Sequence, residues 1–365
     1  MNRLTACLYL NLLPHIGAVR ALQLVRHCGS PEAVFDNQPE RLFADKLLNV
    51  ATYKALCNWR SHEKDVAQLH DKLEANDWSY WLWDTPNYPR YLKHCPDAPL
   101  ILFYKGNWKP QASRVISIVG TRRPTAYGRA QCTALLEGLA PYRPTLVSGM
   151  AYGIDIFAQR KALELGLDTV SCLAHDLNHM YPRQHQRYCA PIAAQGALVS
   201  EFLPGAPFER SNFVRRNRII AGLAQATIVV ETGTSGGSLL TANFANDYHR
   251  EVFALPGPVD APKSKGCLQL IKKQMAQLLL SAEDIAQALQ WNPLSSQKAP
   301  PVKKLASNDP IAIAGGKALE QEGPCGLDEI AVHTGLAVHT IASKLMVLEM
   351  EGVVRSLPGK VFERC

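Results

Sequence analysis

A chain of 365 residues that is 47% apolar and 19% charged has the composition of a folded globular protein. It is too long for one ordinary domain, and it contains no run of roughly 18 apolar residues that would span a membrane. Its net charge of +7 is localised: residues 1–80 hold 9 Lys/Arg against 9 Asp/Glu, residues 81–290 hold 22 against 15, and residues 291–365 hold 8 against 8. The excess therefore sits in the middle segment, as expected where a polyanion binds; a general solubility bias is the plainer alternative.

Residues 1–80 read as a helical domain. The opening MNRLTACLYLNLLPHIG is briefly apolar but has no strong basic flank and no small-residue cleavage site, so it is not expected to be a signal peptide. LLPHIGAVRALQLVRHCGSPEAVF places apolar residues at helical spacing around Gly17 and Gly29, a helix-hairpin-helix (SAM-like) pattern. Such hairpins often touch nucleic-acid backbones, but this segment has no net positive charge, which favours packing or dimer support.

Residues 81–291 alternate strand and helix signals. Apolar runs fall at LILFYKG, VISIVG, TLVSG, TVSCLA, ALVSEF, TIVVE and EVFALPG, separated by stretches such as RAQCTALLEGLA, GIDIFAQRKALELG and GSLLTANFANDYHR. This predicts an α/β, Rossmann-like parallel sheet covered on both faces, with ligands at the carboxyl ends of its strands. Residues 292–308, rich in Pro, Ser and Lys, read as a linker. Residues 309–365 hold three short helical patterns and a two-strand pattern across Pro358-Gly359, a C-terminal winged helix. Its would-be recognition helix, about Val338 to Met350, offers Lys344 but also Glu349 and is mostly apolar, so the tail is expected to meet protein rather than DNA.

The glycine turns narrow the chemistry. Gly120-Thr121-Arg122-Arg123 follows the run Val115 to Val119, and the next run ends at Ser148-Gly149. Neither Gly-x-Gly-x-x-Gly nor a ribose-reading acid is present, and no Gly-x4-Gly-Lys-Ser/Thr occurs, so dinucleotide and motor-type ATP sites are unsupported. A serine-hydrolase elbow fails because Leu146 stands where its first glycine belongs. What remains is a set of turns suited to bare phosphates: Gly120-Thr121, Ser148-Gly149 and Gly236-Gly237-Ser238. Each alone is more often a packing need.

The cations add to this. Arg122 can fork onto a phosphate. YPRQHQR carries Tyr181, Arg183 and Arg187, and NFVRRNRI carries Asn212, Phe213, Arg215, Arg216, Asn217 and Arg218. Arginines at the start of a helix oppose its dipole, so folding alone does not account for them. Tyr181 and Phe213 beside arginines are what single-strand binding uses, because any base stacks on a ring; sheet-to-helix packing is the competing reading. His175, Asp176, His179 and His185 could approach one another, but the strand runs directly into this segment, so a loop rather than a metal site is expected. Asp155 reads as an amide cap. No nucleophile–base pair stands out, and no cofactor is expected. The ten cysteines, Cys7 to Cys365, form no Cys-x-x-Cys pair, which fits reduced thiols in a cytoplasmic chain.

Taken together, the motifs resemble the DNA-processing protein A (DprA/Smf) family. The matching text is YPRYLKHCPDAPLILFYKGN, ISIVGTRRPTAYGR, LVSGMAYGIDIFAQRKAL, SEFLPG, NFVRRNRIIAGL, TIVVET with SGGSLLTA, REVFALPGPVD and KGCLQLIK, strong over about residues 85–290. The resemblance implies an extended Rossmann-type fold that binds single-stranded DNA and forms homodimers. It further implies a protein, not an enzyme, that protects incoming strands and loads RecA recombinase during natural transformation. The family's phosphate turn falls on Gly120, Thr121 and Arg122. Its basic residue after Tyr-Pro falls near Arg183 or Arg187, its Arg-Asn-Arg on Arg216, Asn217 and Arg218, and its Gly-Ser-Leu-Ile-Thr on Gly237 to Thr241. The chain departs at Ala174-His175-Asp176-Leu177-Asn178 and at Arg183-Gln184-His185-Gln186, which leaves open which side chain there meets the strand. Two other readings compete. One is a nucleotide or phosphoribosyl hydrolase with Glu231 as its acid. The other is a transcription regulator that reads duplex through the winged tail.

Overall fold

A computed structural model of the chain describes residues 1–76, 78–293, 319, 325–350, 353–357, 359 and 361–364. The expected linker and the first helical pattern of the tail lie almost wholly outside these residues.

The front of the chain is helical: α1 (Arg3–Leu12), α2 (Ala18–Cys28), α3 (Pro31–Asp36), α4 (Pro39–Ala44), α5 (Val50–Cys57) and α6 (Glu63–Ala75). Local chemistry sets their ends. Asn2 accepts from the Thr5 amide at 2.8 Å to open α1, and Ser30 accepts from the Ala33 amide at 3.1 Å ahead of Pro31 to open α3. Gly29, at φ +90°, closes α2 in the left-handed region.

The core alternates as its apolar runs predict. In chain order it contains β1 (Ser79–Leu82), α7 (Arg90–Lys93), β2 (Ile101–Gly106), β3 (Val115–Val119), α8 (Ala126–Leu139), β4 (Thr145–Ser148), α9 (Ile154–Glu164) and β5 (Thr169–Cys172). There follow α10 (Cys189–Gln195), β6 (Gly196–Ser200), α11 (Arg210–Leu223), β7 (Ala226–Val229), α12 (Gly237–Asp247), β8 (Glu251–Ala254), α13 (Lys265–Lys272), β9 (Gln277–Leu278) and α14 (Ala282–Ala288). The strands form a nine-stranded sheet in the order β1-β2-β6-β5-β4-β3-β7-β8-β9. From β6 to β9 all neighbours are parallel, while β1 and β2 are antiparallel additions at one edge.

Alternation along β3 shows how the sheet is covered. Ile116 and Ile118 face one way, into a core with Leu136 of α8, Ile154 and Ala158 of α9, and Ile285 of α14. Val115 and Val119 face the other way, into the larger core that also takes in Ile220 of α11, Ala242 of α12 and the helical front. All five β3 residues are buried, as befits a strand in the middle of a doubly covered sheet.

The tail contains the helices Leu327–Thr334 and Val338–Met350 and a small sheet of β10 (Cys325–Gly326), β12 (Val361–Arg364) and β11 (Val354–Leu357), in that order. This is a winged helix, and it meets the core where the Glu363 carboxylate accepts from Arg90 Nη2 at 3.0 Å and from Arg355 Nε at 3.0 Å. Glu349 on the second helix accepts from the Ser356 amide at 3.1 Å and so is held by the wing. Among the described residues no single helix is long and apolar enough to cross a membrane.

Candidate nucleic-acid interface

β3 has β4 on one side and β7 on the other, so the connections leaving it diverge and open a crevice at the carboxyl edge of the sheet. A cavity of about 450 Å³ occupies it, walled by the Gly120–Arg122 turn, one face of α11 and the start of α12. Glycine permits this geometry at two points. Gly236 adopts φ +150°, and a Cβ on Gly153 would lie 2.1 Å from the Thr121 carbonyl oxygen. α12 opens with no side-chain cap, so its first amides lack a side-chain acceptor at the cavity wall, where an anion is favoured.

Thr121 is consumed by the fold. Its amide donates to Glu231 O at 2.7 Å, and its carbonyl accepts from the Ile154 amide at 3.1 Å. Its hydroxyl accepts from the Arg123 amide at 3.3 Å. What the turn presents outward is the pair of exposed side chains Arg122 and Arg123. The Arg122 guanidinium lies 5.8 Å from the Phe213 ring centroid. Phe213 belongs to a cluster in which Tyr181 is 5.9 Å and Phe208 5.7 Å away, with Tyr181 and Phe208 5.1 Å apart. Tyr181 and Phe208 are 47% and 52% exposed, an unusual investment of ring surface in solvent.

Arg216 forms the floor. It is 5% exposed, donates to the carbonyls of Gly149 and Cys172 at the ends of β4 and β5, and gives Nε to Asn217 Oδ1 at 3.2 Å. The buried Asp155 carboxylate accepts from the Gly149 amide at 3.2 Å, which makes it the expected amide cap. Burial pushes its carboxyl above the ordinary range, with Arg216 and the Ala151 and Gly149 amides pulling it back. Asn217 Nδ2 donates to Gly237 O at 3.2 Å, Thr241 Oγ1 to the same carbonyl at 3.1 Å, and Ser238 Oγ to Thr232 Oγ1 at 2.8 Å. These residues line the cavity and brace the start of α12.

Several expected contact residues lie elsewhere. Ser148 is fully buried and its hydroxyl donates to Ile118 O at 2.6 Å, so only the adjoining Gly149 borders the site. α11 begins at Arg210, which puts the arginine cluster beyond its first turn and removes the dipole argument for them. Helical periodicity then divides the cluster. Phe213, Arg216 and Asn217 face the cavity, whereas Arg215 and Arg218 face a cleft against the helical front. Arg218, 7% exposed, is bound to the Glu201 carboxylate and to Asp97 O. Arg215, with its side chain 53% exposed, stands 3.6 Å from Glu201. Asn212 is buried and donates to Pro207 O at 2.9 Å, fixing the loop that carries Phe208. Arg183 and Arg187 are exposed on the 3-10 turn Arg183–Tyr188, next to Tyr181. Phe208 is the residue the sequence reading missed. Its signal was an aromatic following proline in a loop with no periodicity to assign it to a core.

The histidines are held by the hydrogen bonds of the loop. His175 Nδ1 donates to Asp176 O at 2.8 Å and Nε2 accepts from the Tyr181 amide at 3.1 Å, while burial lowers its pKa. His179 pairs with Asp176 at 2.6 Å, and His185 Nδ1 donates to Met150 O at 2.7 Å. Among the described residues no group of three or more His, Cys, Asp or Glu side chains is placed to hold a metal ion. Glu231 accepts from the Thr125 amide at 2.9 Å and from the Thr125 hydroxyl, and so braces the residue that caps the start of α8. It borders a different hollow from the Gly237 cavity.

The chain is similar to known proteins over most of its length. Residues 79–290 match the family model for DNA recombination-mediator protein A, and residues 300–360 match a DprA winged helix domain. Protein Smf of Synechocystis is 34% identical over 314 residues, covering 77% of this chain and 79% of its own. Protein Smf of Escherichia coli is 36% identical over 284 residues, covering 76% and 75%. The X-ray structure of DNA processing protein A from Streptococcus pneumoniae superposes with a TM-score of 0.67 at 26% identity, covering 79% of this chain and 98% of that one. DNA processing protein A from Helicobacter pylori, whose structure describes a single-stranded DNA binding mode, superposes at 0.53 with 28% identity over 58% and 95%. A chain with this fold, this cationic sheet edge and these matches belongs to the DNA recombination-mediator protein A (DprA/Smf) family of DNA-processing proteins.

Proposed function

We propose that this chain binds single-stranded DNA without sequence preference along the carboxyl edge of its sheet, and passes the strand to a RecA recombinase. The observation that carries the reading is the conjunction at that edge. Arg122 lies against Phe213, two half-exposed rings stand beside it, and the uncapped start of α12 lies below. Cations there track a backbone and rings accept any base, which is readout of phosphates and base faces rather than base edges. The single-strand binding mode described for the Helicobacter pylori relative supports it. RecA as recipient, a homodimer and a cytoplasmic location follow from the family resemblance.

The bracing role of Glu231 weighs against the hydrolase reading, since both its oxygens are committed to Thr125. The tail helix Val338–Met350 exposes Met346 at 66% and Val347 at 49%, which favours a protein contact over a duplex groove.

The test is a competition. Labelled oligo-dT bound to the protein should be displaced by unlabelled single strands of any sequence and only weakly by duplex. RecA nucleation on strands coated with single-strand binding protein should then shorten its lag when this protein is added. Equal displacement by duplex would overturn the single-strand reading.

A further inference from the structure

We infer that the strand's path continues past the Arg122-Arg123 turn into a second, apolar hollow that takes an unstacked nucleobase. This rests on the reading of the sheet edge as a single-strand site. The hollow measures about 670 Å³ and lies across the turn from the Gly237 cavity, at the carboxyl ends of β7 and β8. One wall is the Tyr127 ring on the first turn of α8. The other is the loop that follows β8, with Pro256, Pro258 and Pro262.

Four observations assign the occupant. First, Tyr127 is 40% exposed yet fixed, because its hydroxyl donates to Pro256 O at 2.7 Å. A ring held at its tip and still 40% exposed offers a stacking surface with little entropy left to lose. Second, the loop is shaped around it: a Cβ on Gly257 would lie 2.2 Å from Ser264 Oγ and 3.7 Å from Tyr127 Cε1. Third, the charge suits a nucleic-acid backbone. Lys263 lines the hollow and binds the carbonyl of the exposed Arg123, while the acid that lines it, Glu231, is committed to Thr125. Fourth, the hollow is continuous with the candidate site. Lys263 donates to Arg123 O, and the Thr232 amide donates to Lys263 O at 2.8 Å, so the loop is tied to the turn and to the segment leading into α12, two of the three walls of the Gly237 cavity. A base entering between ring and proline leaves its phosphates beside Arg123 and Lys263.

The experiment combines a protein change with a DNA change. A panel of oligo-dT strands, each with a single abasic site at a successive position, is titrated against the full chain and against Tyr127→Ala. One or two abasic positions should weaken binding to the wild type by about 5- to 100-fold and cost the variant nothing, because ring and base are each other's partners. Tyr127→Leu, which keeps apolar bulk without the ring, should behave like Tyr127→Ala. Its melting transition reports whether the loop still packs. Abasic penalties that are the same in wild type and both folded variants would overturn the proposal, and would be the result if the hollow served a protein partner. Failure of the wild type to bind intact oligo-dT would instead remove the single-strand reading beneath it.

Discussion

Arg218 gives a sharp separation between what composition and structure say about this chain. By sequence it belongs to the basic cluster that meets DNA; in the fold it is 7% exposed and locked to Glu201 and to the Asp97 carbonyl. Replacing it by Ala leaves the Glu201 carboxylate in a site where its side chain is only 5% exposed and its Oε1 has no hydrogen-bond partner among the described residues. The remaining cation, Arg215, stands 3.6 Å away and largely in water. Breaking such a pair costs about 3–5 kcal/mol, a large part of the 5–15 kcal/mol typical of a domain. The Arg218→Ala chain should therefore show a lower urea midpoint at similar slope, while its folded fraction binds oligo-dT with the wild-type salt dependence. Pairing Arg218→Met with Glu201→Gln should recover much of the loss, since no buried charge is then orphaned. Wild-type stability together with a shallower salt dependence would refute the reasoning and return Arg218 to the strand.

Three further outcomes follow from named contacts. Phe208→Ala should weaken oligo-dT binding by about 1–3 kcal/mol, measured by anisotropy, with the melting temperature little changed, because the ring is half exposed. Glu231→Ala should destabilise the chain by about 1–3 kcal/mol, because the amide and hydroxyl of Thr125, the residue that caps α8, lose their buried acceptor, and neither it nor the wild type should release free base from a nucleoside monophosphate; release by the wild type that is lost in Glu231→Gln would contradict this. Burial pushes the His94 imidazole down to about 4, against a pull from Glu329 and alongside Arg250, Lys93 and Arg90. The unfolded chain, titrating near 6.5, then takes up its proton first as pH falls. Stability should be unaffected well above pH 6.5 and decline by up to about 1.4 kcal/mol per pH unit between roughly 6.5 and 4. A His94→Gln variant should show a flatter decline over that window.

The strands from β2 to β8 were legible because strands buried on both faces appear as plain apolar runs. β1 and β9 were not: they are short edge strands, and Gln277 and Leu278 are both exposed. The glycine turns were legible too, since each sits between an apolar run and a helical pattern. Which arginines reach the cavity was not, because that depends on the angular position around α11. The neighbours Arg216 and Asn217 face the cavity, yet Arg215 and Arg218 on either side of them face the opposite cleft. Ser148 was lost for a similar reason. Its hydroxyl turns back to Ile118 O, a choice made by the neighbouring strand and invisible in Val-Ser-Gly.

If the Arg122 turn neutralises phosphates of a single strand, fluorescence anisotropy of labelled oligo-dT across a salt series will separate wild type from Arg122→Ala. Arg122 is exposed, so its loss should leave the fold intact. The wild type should bind with an affinity that falls steeply with salt, and the variant should bind more weakly with a log–log slope shallower by about 0.7, one phosphate's share. Two chains with the same affinity and the same slope would contradict the account.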